Sequence, residues 1–206
     1  MSVPPQPTLP KPAFTLDEPF SALIFDCDGT LVDTGRVHFM AVNEALRPLG
    51  VAIELDWYRQ RSGLTPASLY AEIERDKAIP LDVPAIAGRY GPIFLASLAS
   101  AEEIAVVADV ARGYHGVVPM AVASNGERHN VVATLHATGL LPLFDHIVTA
   151  EEVARGKPAP DVYLEAARRM RVAPASCIVF EDTDEGLTAA RTAGMRVRDI
   201  RLVFQP

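Results

Sequence analysis

The feature that most constrains this chain is Asp26-Cys27-Asp28-Gly29-Thr30, which sets two carboxylates one residue apart at the end of an apolar run. Ala22-Leu23-Ile24-Phe25 has the length and composition of a buried strand, and Gly29-Thr30 turns the chain away from it. The first residues past a strand end can curl, so Asp26 and Asp28 can both face a pocket above a sheet. Asp-Gly alone signals a hairpin, whose return strand would alternate apolar and polar residues. Here Val37, Met40, Ala41, Ala45 and Leu46 recur at helical spacing instead. A strand, an acidic loop and a helix make the active-site loop of an α/β protein.

A chain of 206 residues buries one substantial core and at most a small second one, which bounds the fold at one or two domains. The formal net charge of -7 argues against nucleic acid or an anionic membrane as partner, since phosphate backbones are held by clustered cations. Cys27 and Cys177 are too few for a disulfide framework and read as small buried apolar residues in a reducing compartment. No run is long enough for a membrane-spanning helix, and the first residues lack the order of a signal peptide. The expectation is a cytoplasmic protein, with a monomer as the default.

Residues 1–19 hold six prolines and almost no apolar periodicity, and read as an extended or disordered leader. A core follows at 20–33 and resumes at 101–206, interrupted by a helical insert at 34–100. In the insert, helices are expected from Arg36 to about Leu46, over Glu54 to Gln60, from Thr65-Pro66 to about Lys77, and from Pro84 to Ala99 with a break near Gly91-Pro92. In the core, apolar runs at Met120–Ser124, His146–Thr149, Cys177–Phe180 and Met195–Ile200 read as strands alternating with helices. That alternation predicts a doubly wound parallel sheet covered on both faces.

Ligands of such sheets bind beyond the carboxyl ends of the strands. There the first strand delivers Asp26 and Asp28, the second Ser124 and Asn125, and the fourth Glu181 and Asp182, while Lys157 opens a helix through a proline-stiffened loop. Converging carboxylates repel by roughly 4 kcal/mol per close pair at an intermediate dielectric, so a cation is required. All-oxygen donors favour Mg²⁺. Carboxylates, Mg²⁺, a lysine and a hydroxyl suit a phosphate ester, a small phosphorylated metabolite, as substrate.

The motifs Asp-x-Asp-Gly-Thr-Leu-Val-Asp-Thr, Ala-Ser-Asn, Gly-Lys-Pro-Ala-Pro-Asp and Phe-Glu-Asp-Thr stand in the order found in the haloacid dehalogenase-like hydrolases, which the chain resembles over about residues 20–204. The resemblance implies a Rossmann-like core with a helical cap of the β-phosphoglucomutase-like kind. It implies Asp26 as a nucleophile forming an aspartyl phosphate, and Asp28 as the acid for the leaving oxygen and then the base for water, with a somewhat raised pKa. Ser124, Lys157, Asn125 and Gly29 would bind phosphate. Mg²⁺ would sit on Asp26, the carbonyl of Asp28 and Asp182, with Glu181 as a ligand or behind one. His38, on the first insert helix, matches a position that faces substrate in relatives, and reads equally well as structural. Asp33 and Asp161 read as loop braces.

Three functions fit such a site: a phosphatase, a phosphomutase, or a non-catalytic phosphate-binding regulator. Every acidic position is filled, which disfavours silence, and Asp28 disfavours dehalogenase chemistry. Relatives that act as mutases carry an arginine in the cap loop where this chain has Pro66 in Ser62-Gly63-Leu64-Thr65-Pro66, and a lysine where it has Glu127. Tyr114-His115-Gly116 and Lys157-Pro158-Ala159-Pro160-Asp161 look closest to the sugar-phosphate phosphatases of the family, those for fructose 1-phosphate and 6-phosphogluconate. The expected function is a Mg²⁺-dependent phosphatase of small phosphorylated sugars.

Overall fold

The structure, a computed structural model, describes residues 16, 18–61 and 64–204. In chain order the elements are β1 (Ala22–Phe25), β2 (Val32–Asp33), α1 (Gly35–Leu46), α2 (Leu55–Arg59), α3 (Pro66–Lys77), α4 (Val83–Ser97), β3 (Glu102–Glu103), α5 (Ala105–Tyr114), β4 (Met120–Ser124), α6 (Arg128–Ala137), β5 (His146–Thr149), α7 (Asp161–Met170), β6 (Cys177–Glu181), α8 (Asp184–Thr192) and β7 (Arg196–Asp199). The core strands pair in the order β5-β4-β1-β6-β7, all parallel. The chain builds outward from β1 through β4 to β5, then crosses to the other side for β6 and β7. Such a reversal opens a crevice at the strand ends, and β1 stands in it.

The strands are short and apolar because both faces are covered. Leu23, Phe25, Val122, Ile178 and Phe180 point to the side packed by α5 and α6, and Ile24, Ala121, Ala123 and Val179 to the side packed by α7 and α8. Alternation along each strand assigns these sides, and the rings of Phe25 and Phe180 stack 4.8 Å apart to lock the register of β1 against β6. That register pairs Ala22 with Cys177 and Phe25 with Phe180. Asp26 and Glu181 therefore leave the sheet side by side, while Cys27 and Cys177 lie at opposite ends of neighbouring strands, both buried and free.

Helices α1 to α4 carry an apolar cluster of their own, with Val42, Leu46, Ile53, Leu69, Ile73 and Ile86 at its centre. α3 starts where the sequence places it: Pro66 occupies the first turn and Thr65 Oγ1 accepts from the Ser68 amide at 3.3 Å. α4 differs from expectation. It runs unbroken through Pro92, because Ile86 and Phe94 are buried on one face and their packing outweighs the single hydrogen bond that a proline removes.

The two chain crossings between core and insert are tied together. β2 and β3 form a small antiparallel ribbon, Val32 opposite Glu103 and Asp33 opposite Glu102, and the Ile104 amide donates to the Leu31 carbonyl at 2.8 Å. Most of the proline-rich leader lies outside the described residues. Its last part is held to the core, with Leu16 packed against the α5 side and Glu18 paired with Arg196 at 3.0 Å and Arg198 at 3.4 Å. Among the described residues, no helix is long and apolar enough to cross a membrane.

Candidate active site

The carboxyl ends of β1 and β6 converge on one buried ammonium group. Lys157 Nζ donates to Asp26 Oδ1 at 2.6 Å and to Glu181 Oε1 at 2.7 Å, and all three side chains are buried. Tyr163, from α7, donates its hydroxyl to the same Glu181 oxygen at 3.0 Å. The other oxygen of Glu181 accepts from the Asp182 and Thr183 amides at 2.8 and 2.7 Å. Asp182 turns the opposite way, where its Oδ1 accepts from Thr30 Oγ1 at 2.8 Å. Gly29 allows this approach: its φ is +87°, and a β-carbon there would overlap the Asp182 carboxyl.

Asp28 faces the insert. Its Oδ1 accepts from Thr34 Oγ1 at 2.7 Å and meets His38 Nε2 at 3.0 Å. His38 reaches it from the first turn of α1, stacked on Phe94 with ring centroids 4.4 Å apart, and its Nδ1 is bonded to the Tyr90 hydroxyl. Ser124, at the end of β4, accepts from the Gly126 amide at 3.0 Å. Asn125 donates to the Lys157 carbonyl at 3.1 Å, and its Oδ1 accepts from the Lys157 amide at 2.8 Å.

A family model described as haloacid dehalogenase-like hydrolase matches residues 20–194. The chain belongs to that family. It is 37% identical over 186 residues to the fructose-1-phosphate phosphatase YqaB of Escherichia coli, covering 90% of this chain and 99% of that one. It is 34% identical to the protein CbbY of Rhodobacter capsulatus, covering 85% of this chain and 83% of the relative. Among solved structures, CbbY from Rhodobacter sphaeroides in complex with phosphate superposes with a TM-score of 0.80 at 29% identity, covering 86% of this chain and 84% of that one.

The charges of this hydrolase explain how the site is balanced. Burial pushes the Asp26 carboxyl well above the usual carboxylate range, the neighbouring Glu181, Asp182 and Asp28 push the same way, and Lys157 opposes them. Burial and Glu181 likewise raise Asp182, to about 7. Burial disfavours the charged form of Lys157, but the carboxylates on either side outweigh it and hold the ammonium well above its ordinary value. One lysine thus leaves the cluster short of positive charge. Among the described residues no three acidic, histidine or cysteine side chains form a metal cage. The donor set fits instead an ion that takes two carboxylates and a main-chain carbonyl and fills its octahedron with water or substrate oxygens, as Mg²⁺ does.

Several expected roles change at the level of single atoms. Burial raises Asp28, yet the His38 charge and the hydrogen bonds from His38 and Thr34 outweigh it, so its pKa lies below the ordinary value rather than above. The amide of Gly29 donates to the Val32 carbonyl at 2.8 Å, within the loop. The Asn125 side chain bonds both the amide and the carbonyl of Lys157 and so braces two motifs against each other. Gly156 makes room for it, since a β-carbon there would stand 2.5 Å from Asn125 Oδ1. Both Glu181 oxygens are taken by protein donors. Asp161 accepts from Arg155 at 3.1 Å and braces its loop as expected.

Thr34, Tyr90 and Tyr163 were given no role by the sequence, although each bonds a site residue. Thr34 had a usable signal, a hydroxyl six residues after Asp28 at a helix start. Tyr90 and Tyr163 had none, because they sit on helices whose patterns call for any large apolar side chain at those positions.

Proposed function

We propose that this hydrolase is a Mg²⁺-dependent phosphatase of small phosphorylated metabolites, with sugar phosphates as its substrates. The observation that carries the reading is the pair of carboxylates on one loop with divided surroundings: Asp26 buried against Lys157, and Asp28 turned toward the insert and held by Thr34 and His38. The likeness to a fructose-1-phosphate phosphatase over nearly the whole of both chains supports the substrate class.

In this reading Asp26 attacks phosphorus, the ester P–O bond breaks, and the leaving oxygen takes a proton from Asp28. Water then attacks the phosphorus of the aspartyl phosphate while Asp28, now a carboxylate, takes a proton from that water, and the bond to Asp26 breaks to free phosphate and restore the Asp26 carboxylate. Lys157 holds Asp26 in place and balances charge on the transferring group, and Ser124 donates to that group. Asp26, the Asp28 carbonyl and Asp182 would hold Mg²⁺, which supplies positive charge to the phosphoryl oxygens. Glu181, with both oxygens used, positions Lys157 instead of binding metal. The hydrogen bonds on Asp28 favour its ionised form, the state that accepts a proton from water. A substrate oxygen that replaces His38 as its neighbour lets the carboxyl carry the proton needed in the first step.

A phosphate-release screen over sugar phosphates, nucleotides and short acid phosphates, with and without Mg²⁺, tests the reading. Mg²⁺-dependent release from sugar phosphates is expected. Isomerised glucose 1-phosphate without free phosphate, in the presence of a trace of bisphosphate, would instead mark a mutase. Ser62 and Gly63 of the cap loop lie outside the described residues.

The metal assignment has a test that needs no turnover. With its pKa raised to about 7 from 3.8, Asp182 holds a proton in the folded chain over a range where the unfolded chain has lost it. The folded state then binds more protons, so this group's contribution to stability falls as pH rises from about 4 to 7. Mg²⁺ competes with that proton. Thermal unfolding should show a larger stabilisation by Mg²⁺ at pH 8 than at pH 6, and the difference should shrink in Asp182→Asn. Equal shifts at both pH values would remove Asp182 from the metal site.

A further inference from the structure

One carboxylate oxygen holds both ends of the segment that delivers the lysine. Lys157 Nζ donates to Glu181 Oε1 at 2.7 Å, and further along the same segment, in the first turn of α7, the Tyr163 hydroxyl donates to that oxygen at 3.0 Å. Both side chains are buried, Tyr163 completely. Burial first and the Glu181 charge second hold the phenol protonated, so it stands there as a donor. Its ring also lies 4.9 Å from Nζ, within range of a cation–π contact.

Glu181 does not meet these two donors with separate oxygens. Its Oε2 accepts from the Asp182 and Thr183 amides and from the Thr183 hydroxyl at 3.0 Å, and Gly186 packs so close behind that a β-carbon there would overlap the carboxyl. The group is fixed in rotation, and Oε1 is the oxygen it turns to the ammonium. Tyr163 therefore divides the charge of that oxygen with Lys157. Packing does not call for the hydroxyl: Tyr163 sits in the apolar cluster of Ala123, Val148 and Ala166, where a phenylalanine ring would fill the same space.

Taking the phosphatase reading as given, we infer that Tyr163 is a positioning residue: acting through Glu181, its hydroxyl sets how firmly the Lys157 ammonium is drawn away from Asp26 and the transferring group. Nζ stands 2.6 Å from Asp26 Oδ1 and 2.7 Å from Glu181 Oε1, a near-even balance between two carboxylates. When Asp26 bonds to phosphorus, negative charge moves onto the phosphoryl oxygens, and the ammonium stabilises it only by following. A Glu181 oxygen that already accepts from a phenol releases the ammonium more readily than one that holds the lysine alone. Tyr163 thus acts on the reaction from behind the lysine, without touching substrate.

The test is Tyr163→Phe, which keeps the ring and removes the hydroxyl, with Gly194→Ala as a variant strained away from the cluster. In hydrolysis of p-nitrophenyl phosphate with Mg²⁺, Tyr163→Phe should lower kcat by about 10-fold, the scale of a hydrogen bond to a charged group, and leave KM within about 2-fold of the parent. The chain has three lysines, Lys11, Lys77 and Lys157, so ¹⁵N-labelled lysine gives a sparse NMR spectrum in which the buried Lys157 ammonium can be assigned by through-bond correlation. Read without substrate, that signal should move in Tyr163→Phe and stay in place in Gly194→Ala. A kcat within about 2-fold of the parent in Tyr163→Phe, or a fall in kcat with the Lys157 signal unmoved, overturns the assignment. If the parent hydrolyses no ester the phosphatase reading fails, and the Lys157 signal alone then decides whether Tyr163 governs the ammonium.

Discussion

Asp26→Asn is expected to lower Mg²⁺-dependent phosphate release by about 10⁴-fold or more, the scale on which removing a covalent nucleophile acts. The substitution keeps the shape of the side chain and an oxygen for Lys157 Nζ, now 2.6 Å from Asp26 Oδ1, so the buried contact survives in weaker form. Glu181 continues to hold the ammonium from its other side. The fold should therefore stand, with a thermal midpoint within a few degrees of the parent and with Mg²⁺ affinity reduced. Asp28→Asn removes the proton carrier but leaves the nucleophile, so a single phosphoryl group should still transfer slowly to Asp26 while turnover is crippled. Phosphate release by Asp26→Asn above about one per cent of the parent rate, in a preparation free of contaminating phosphatase, would remove Asp26 from the nucleophile's role.

The contrast between those two aspartates shows what a sequence can and cannot say about a site. Which residues gather was legible, because strand ends are marked by local signals: an apolar run, then Asp26, Ser124 or Glu181, then a turn or helix cap. The core strands lie within a residue or two of where the apolar runs place them. What each oxygen touches was not legible. Asn125 and Lys157 are 32 residues apart, and nothing in either motif tells whether the amide faces a ligand or the neighbouring backbone. The same holds for Glu181, which shares its strand end with Asp182 but turns inward to Lys157 and Tyr163. The ribbon of β2 and β3 escaped for a different reason. Two residues per strand leave no periodicity to detect, and the pairing brings together positions some 70 residues apart around the insert. In α4 the local signal was present and misleading, since Gly91-Pro92 reads as a break until the burial of Ile86 and Phe94 is known.

Lys157→Ala should unfold the chain at a markedly lower temperature as well as abolish activity. Among the described residues Nζ is the one cation in contact with both Asp26 and Glu181, each buried, and removing a partner from a buried ionic group typically costs about 3–5 kcal/mol because the remaining charge is left uncompensated. For a chain of this size that corresponds to a midpoint lower by roughly 10 °C. Mg²⁺ should recover part of the loss, since it would supply charge to Asp26 from the other side. A second substitution reaches the same ammonium without touching it. A β-carbon at Gly186 would overlap the Glu181 carboxyl, which Thr183 and the start of α8 hold from behind, so Gly186→Ala must displace Glu181 and with it one of the two anchors of Lys157. Gly194→Ala provides the comparison: its φ of +77° strains an alanine, but a β-carbon there meets nothing within 4 Å. Gly194→Ala is expected to lose stability with kcat nearly unchanged. Gly186→Ala is expected to lose stability and at least ten-fold in kcat together, and Glu181→Gln should lose both as well, because one accepting oxygen becomes an NH₂ that cannot accept from the donors around it and the charge beside Lys157 is gone. If Gly186→Ala retained full kcat in its folded fraction, Glu181 would be a structural carboxylate with no part in holding Lys157 for the reaction.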